Sequence, residues 1–203
     1  MKKDYTHICI VLDASGSMGS IESDIKGSFN TFLAQQKESE GKTMFDLFQF
    51  SDEVTHLVKS ADLSQYSGNL MDQYSCSGCT ALYDAVCIAI DSMGKTFAAM
   101  PEEERPEKVI FTIVTDGHEN ASRKFSLKDV KERIDRQTKE YSWEFVYLAA
   151  NQDEFEASRI SRSMGVDFSR STMDAADLSC MTNCILTNVT TRMRKKRNNA
   201  PGK

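Results

Sequence analysis

The sequence predicts an α/β domain: a doubly wound, mostly parallel six-stranded sheet with one antiparallel edge strand and helices on both faces. Three observations lead there. Ile8-Cys9-Ile10-Val11-Leu12 and Val109-Ile110-Phe111-Thr112-Ile113-Val114 are near-continuous apolar runs, as strands covered on both faces require. Strand-like and helix-like segments alternate along the chain, without repeats or a low-complexity linker. Both runs stop at an acidic loop, Asp13-Ala14-Ser15 and Thr115-Asp116-Gly117, where ligands collect beyond the carboxyl ends of parallel strands.

The elements follow in order. A strand from about His7 to Leu12 precedes a helix from about Ser20 to Lys37, with Ile21, Ile25, Phe29, Phe32 and Leu33 on one face. Met44 to Phe50 is the next strand. Ser51-Asp52-Glu53 is too short for a crossover, so Val54 to Lys59 returns antiparallel at the sheet edge. After a polar segment, a helix begins near Thr80 and carries Leu82, Ala85, Val86, Ala89, Ile90 and Met93. Lys108 to Val114 is the clearest buried strand after the first. A helix over about Ser126 to Lys139, a strand from Trp143 to Ala149, a short helix over about Glu154 to Met164 and a last helix from about Thr172 complete the set. The expected division is a domain over 1–170 and a C-terminal helical extension with a basic tail over 171–203.

With 203 residues, 40% of them hydrophobic, the chain is large enough for a full core. No stretch approaches about 18 consecutive apolar residues, and Met1-Lys2-Lys3-Asp4 runs into polar Tyr5-Thr6-His7 without the apolar segment of a secretory signal. The expectation is a cytoplasmic protein with no membrane contact. The net charge of −5 hides a segregation: Arg192, Arg194, Lys195, Lys196, Arg197 and Lys203 close the chain, leaving 19 basic residues against 30 acidic ones elsewhere. So acidic a body argues against nucleic-acid binding except through that tail.

The six cysteines are expected as reduced thiols. Cys9 and Cys87 sit in apolar patterns. Cys76-Ser77-Gly78-Cys79 has half a zinc site's spacing, but completing it with Cys180 and Cys184 requires about 100 intervening residues to bring the pairs together.

The chemistry concentrates in three loops. Asp13, Ser15 and Ser17 place a carboxylate and two hydroxyls behind the first strand, with Gly16 letting the backbone turn between the serines. Thr80 opens a helix, where its hydroxyl can cap that helix, face a cation, or do both. Asp116 ends the strand finishing at Val114. Two carboxylates balance a divalent charge and the hydroxyls add hard oxygen donors, which suits Mg²⁺, with Mn²⁺ or Ca²⁺ as alternatives. Taken singly, each residue has a local explanation as a turn former or cap. Asp84, on the first turn of the Thr80 helix, is expected to be structural, favoured by the helix dipole. His118 reads as a surface residue, and Met164, Met173, Met181 and Met193 as packing residues.

In the pattern Asp13-x-Ser15-x-Ser17, then Thr80 and Asp116 at spacings of about 60 and 36 residues, the chain resembles the von Willebrand factor A family and its metal-ion-dependent adhesion site. Ser15-Gly16-Ser17-Met18, Thr80-Ala81-Leu82-Tyr83-Asp84-Ala85 and Thr115-Asp116-Gly117 carry the resemblance, which spans about Tyr5 to Asp167 and extends to stand-alone bacterial and phage proteins. It implies a Rossmann-like fold. It further implies that Ser15 and Ser17 bind the metal directly, Asp13 and Asp116 partly through waters, and Thr80 directly or through water. One coordination position would be left for an Asp or Glu of a partner protein. One position departs from the family pattern: Cys79 stands where glycine is common before the threonine.

The expected function is therefore a divalent-cation-dependent protein-binding module without catalysis. A Mg²⁺-dependent phosphatase using Asp13 as nucleophile is the enzymatic alternative, but such hydrolases carry a second aspartate two residues on, where this chain has Ser15. The Gly-x-Ser-x-Gly elbow of a serine hydrolase is absent around Ser15 and Ser17. A third reading makes the ion structural and moves binding to the C-terminal helix, where Leu178, Met181, Ile185, Leu186, Val189 and Met193 form a partial apolar stripe.

Overall fold

The computed structural model of the chain describes residues 1–37, 41–66, 73–116, 119–150 and 154–168. Its elements run β1 (Lys2–Asp13), α1 (Glu22–Lys37), β2 (Lys42–Phe50), β3 (Val54–Asp62), α2 (Leu82–Ala98), β4 (Pro106–Thr115), α3 (Leu127–Tyr141), β5 (Glu144–Ala149), α4 (Glu154–Met164) and β6 (Asp167–Phe168). The expected helix from Thr172, the boundary near residue 170, and Cys180 and Cys184 lie outside the described residues.

One six-stranded sheet has the order β3-β2-β1-β4-β5-β6. All neighbours are parallel except β2 and β3, which pair antiparallel as the edge hairpin expected from the short Ser51-Asp52-Glu53 turn. The strand order reverses between β1 and β4, so the crevice at their carboxyl ends is where a doubly wound sheet places its ligands.

β1 explains why a central strand reads as a continuous apolar run. Ile8, Ile10 and Leu12 join a core with Ile25, Phe29, Phe45, Leu47, Ile110 and Val114. Cys9 and Val11 point the other way, into a core with Val86, Ile90, Phe111, Ile113, Ile134 and Tyr147. The side-chain period is still two, but both faces are dry. Cys9 and Cys87 are buried, and both belong to this second core.

Two boundaries differ from expectation for physical reasons. β1 begins at Lys2 because its polar first residues still pair by backbone, Tyr5 against Lys42 and Lys2 against Pro106. The helix expected from Ser20 starts as a 3-10 segment, Gly16–Ile21, before turning α-helical at Glu22. α3 starts where a capping box predicts: the Ser126 hydroxyl accepts the Asp129 N–H while the Asp129 carboxylate takes the Ser126 N–H.

A buried polar cluster sits near the middle of β1 and β2. Asp46 Oδ2 lies 2.6 Å from His7 Nε2, and its Oδ1 lies 2.5 Å from His56 Nε2. Burial alone would push the Asp46 carboxyl up, but hydrogen bonds from His56 and His7 outweigh it and hold the group at about 2. His7 Nδ1 faces the Tyr5 hydroxyl at 3.2 Å, Phe97 of α2 sits edge-on to the His7 ring, and Phe48 stacks on His56. No helix among the described residues is long and apolar enough to cross a membrane.

Candidate metal centre

The three expected loops converge at the carboxyl ends of β1 and β4. Backbone bonds stitch the first to the second: Ser77 N–H donates to Ala14 C=O at 2.8 Å, and Gly16 N–H to Gly78 C=O at 3.0 Å. The turn after β2 joins them, with Ala14 N–H on Phe50 C=O at 2.7 Å and Ala81 N–H on Ser51 C=O at 2.9 Å.

Asp13 is fully buried. Its Oδ1 accepts the Ser15 N–H at 2.7 Å and its Oδ2 the Thr115 hydroxyl at 2.5 Å. Ser15 Oγ lies 3.1 Å from Ser17 Oγ, and Ser17 Oγ donates to Asp116 Oδ1 at 2.7 Å. Four of the five expected residues thus form one hydrogen-bonded chain from Asp13 to Asp116, although 103 positions separate its ends in sequence. Ser15 is buried, Asp116 half-buried and Ser17 exposed, so the chain opens to solvent at Ser17 and Asp116.

Thr80 is buried in the adjoining loop, and among the described residues no hydrogen bond links its hydroxyl to those four. Of the roles open to Thr80, capping its own helix is not the one the described residues show. α2 is capped at Ala81, and neither Thr80 nor Ala81 supplies a side-chain cap. The helix's first donors are taken instead by the loop after Asp116: Tyr83 N–H by Glu119 Oε2 and Asp84 N–H by the Ser122 hydroxyl, both at 3.0 Å. Asp84 is structural as expected, through contacts beyond the helix dipole, because its carboxylate accepts the N–H groups of Arg123, Lys124 and Phe125.

Gly16 sits in the turn expected between the serines, which Met18 N–H closes on Ser15 C=O at 3.1 Å, and it does so without a positive φ. Among the described residues the positive-φ glycine of these loops is Gly78, at φ +79°, where an added Cβ would stand 2.0 Å from Asp52 Oδ2. The same Asp52 oxygen accepts the Cys79 N–H at 3.2 Å. Gly78 therefore takes the left-handed geometry one residue before Cys79, whose side chain is exposed. Gly117 and His118 lie outside the described residues.

The donor set fits a hard cation. Among the described residues no Lys, Arg or His forms an ion pair with Asp13 or Asp116. Burial pushes the Asp13 carboxyl up from its ordinary value against the pull of the Thr115 and Ser15 bonds, and the Asp116 charge pushes the same way. Burial raises Asp116 as well, opposed by Ser17. Two neighbouring carboxylates without a counter-charge are what a divalent ion neutralises. The side chains gathered here offer carboxylate and hydroxyl oxygens, a hard donor set that suits Mg²⁺, Mn²⁺ or Ca²⁺ better than zinc or copper.

Sequence reasoning missed three supports. Tyr74 is buried and its hydroxyl donates to Asp13 C=O at 2.6 Å; Thr115 holds the Asp13 carboxylate; Glu119 and Asn120 brace the Thr80 loop. Only Thr115, beside Asp116, carried a local signal. Tyr74→Phe is expected to cost about 1 kcal/mol in a urea titration without metal, the size of one buried hydrogen bond.

The family model described as the von Willebrand factor type A domain matches residues 7–182. The chain belongs to this family. Among solved structures, a von Willebrand factor type A protein from Catenulispora acidiphila superposes with a TM-score of 0.58 at 14% identity, covering 89% of this chain and 41% of that one. BatB from Bacteroides thetaiotaomicron gives 0.57 at 12% identity, covering 90% and 98%. The manganese-loaded TRAP protein of Plasmodium vivax gives 0.56 at 16% identity, covering 86% and 66%. At these identities the likeness is one of fold, and this von Willebrand factor A chain spans about two fifths of the Catenulispora protein. No curated protein matches the sequence.

Proposed function

We propose that this von Willebrand factor A domain is a divalent-cation-dependent protein-binding module, in which a Mg²⁺ ion, or Mn²⁺ or Ca²⁺ in its place, bridges to a carboxylate of a partner protein. The observation that carries the reading is the chain Asp13–Ser15–Ser17–Asp116, all oxygen donors, bearing two carboxylates without a cationic partner among the described residues. Ser15 and Ser17 would hold the ion directly, Asp13 and Asp116 partly through water, and Thr80 from the adjoining loop. The bound ion supplies a positive charge that a guest Asp or Glu can complete.

The chain's own residues do the rest. Asp13 sets the floor of the site, because Thr115, Ser15 and, through its carbonyl, Tyr74 fix its position. Ser17 and Asp116 form the solvent side that a guest approaches. The chain has Ser15 two residues after Asp13, where hydrolases of the aspartyl-nucleophile kind carry a second aspartate as acid and base, and this supports binding over catalysis. The manganese carried by the TRAP protein is consistent with an ion of this kind.

Calorimetric titration with Mg²⁺ and Mn²⁺ is expected to show one binding site per chain, and capture of partners on the immobilised protein is expected to disappear with chelator. Titrations without heat for either ion, or capture indifferent to chelator, contradict the proposal.

A further inference from the structure

We propose that Asn120 is a positioning residue of the metal centre, a clip that sets the Thr80 hydroxyl relative to the Asp116 loop; this rests on the reading of Asp13, Ser15, Ser17, Thr80 and Asp116 as the cation site. Asn120 grips both backbone groups of Thr80. Its Oδ1 accepts the Thr80 N–H at 2.9 Å, and its own N–H donates to Thr80 C=O at 3.1 Å. Ala121 N–H reaches the same carbonyl at 3.3 Å. Holding a residue's N–H and C=O together fixes the plane on either side of its Cα, and so the direction in which its side chain leaves.

The clip is itself braced. Glu119 Oε1 accepts the N–H groups of Ala121 and Ser122, and its Oε2 accepts the Ser122 hydroxyl and the Tyr83 N–H. Ser122 takes the Asp84 N–H, and Asp84 returns three bonds to residues 123–125. Residues 119–125 and the start of α2 therefore exchange hydrogen bonds in both directions. Residues 119–125 and the loop bearing Thr80 thus form one hydrogen-bonded unit. The first loop, with Asp13, Ser15 and Ser17, is tied to this body by a different route, through Ala14, Gly16, Ser77 and Gly78. Thr80 is the expected ligand without a hydrogen bond to the other four among the described residues, and while Cys79 N–H on Asp52 and Ala81 N–H on Ser51 hold its neighbours, the clip is what grips its own N–H and C=O.

Asn120 is exposed, so its truncation leaves the core untouched. The test is a double-mutant cycle of Asn120→Ala and Thr80→Ala, read by Mn²⁺ titration calorimetry on the full chain, with melting of each metal-free variant as a check of the fold. Asn120→Ala is expected to weaken Mn²⁺ binding about five- to tenfold, the scale of one hydrogen bond, while lowering the metal-free melting point by no more than about 2–4 °C, the cost of the Thr80 N–H losing its acceptor. In the Thr80→Ala background the same change is expected to do nothing further, because the hydroxyl it aims is gone. Unchanged affinity in Asn120→Ala overturns the proposal, as does an equal loss in both backgrounds or a loss that comes with a larger drop in melting point. A wild-type chain that binds no Mn²⁺, or an Asp13→Ala variant that binds as wild type does, overturns the site reading and the clip with it. Normal Asp13 dependence with an inert Asn120 overturns the clip alone.

Discussion

Asp13→Asn is expected to lower Mg²⁺ and Mn²⁺ affinity about 10- to 100-fold, the range seen when an outer-shell partner of a metal is lost. The side chain is buried and isosteric with its replacement. The asparagine Oδ1 still accepts the Ser15 N–H, and its NH₂ group faces Thr115, whose hydroxyl can rotate from donor to acceptor. The scaffold thus survives while the charge disappears. Because burial disfavours the Asp13 anion, removing that charge is not expected to weaken the metal-free fold, and its unfolding free energy in urea should stay within about 1 kcal/mol of wild type. Calorimetry and urea unfolding in chelator check the two halves together. A large loss of stability would mean that the asparagine cannot take the aspartate's place, and an unchanged affinity would remove Asp13 from the site.

Asp46→Ala is expected to do the reverse, costing about 3 kcal/mol of stability while leaving cation affinity unchanged. The substitution strips two imidazoles of their acceptor, and one of them, His7, is fully buried. Asp46 pairs with Cys9 in the sheet register, four positions before Asp13 on β1, hence about 13 Å along the strand from that residue. The pH dependence has a definite sign. The folded carboxyl sits at about 2 against an ordinary 3.8, so its contribution is complete above the unfolded value and drains away as pH falls through the folded one. Urea midpoints of wild type and variant should therefore differ most near neutral pH and converge on acidification from about pH 4 to about pH 2. A gap of constant size across that range would show that the Asp46 charge is not what the imidazoles stabilise.

The parts legible in the sequence are those whose physics is local or one-dimensional. Ile8–Leu12 and Val109–Val114 announced central strands because a strand buried on both faces is nearly continuous in apolar residues. The Asp13, Ser15, Ser17 and Asp116 set could be named because strand ends in a parallel sheet share one edge, which turns order along the chain into proximity. What stayed hidden were pairings that only the folded register creates. His7 and Asp46 are 39 positions apart and meet because β1 and β2 are in register; Tyr74 reaches Asp13 across 61 positions; Asn120 reaches Thr80 across 40. Thr80 does not cap α2 for a related reason: the donors at the start of α2 are satisfied by a distant loop, so the helix needed no hydroxyl of its own.

The most direct test of the account is where a manganese ion binds. In crystals grown with Mn²⁺, anomalous scattering is expected to place one ion at the carboxyl ends of β1 and β4, enclosed by oxygens of Asp13, Ser15, Ser17, Thr80 and Asp116 with one position open to solvent or a neighbour's carboxylate. An ion held at His7, Asp46 and His56 instead, or no ordered manganese between Ser17 and Asp116 at saturating concentration, would contradict it.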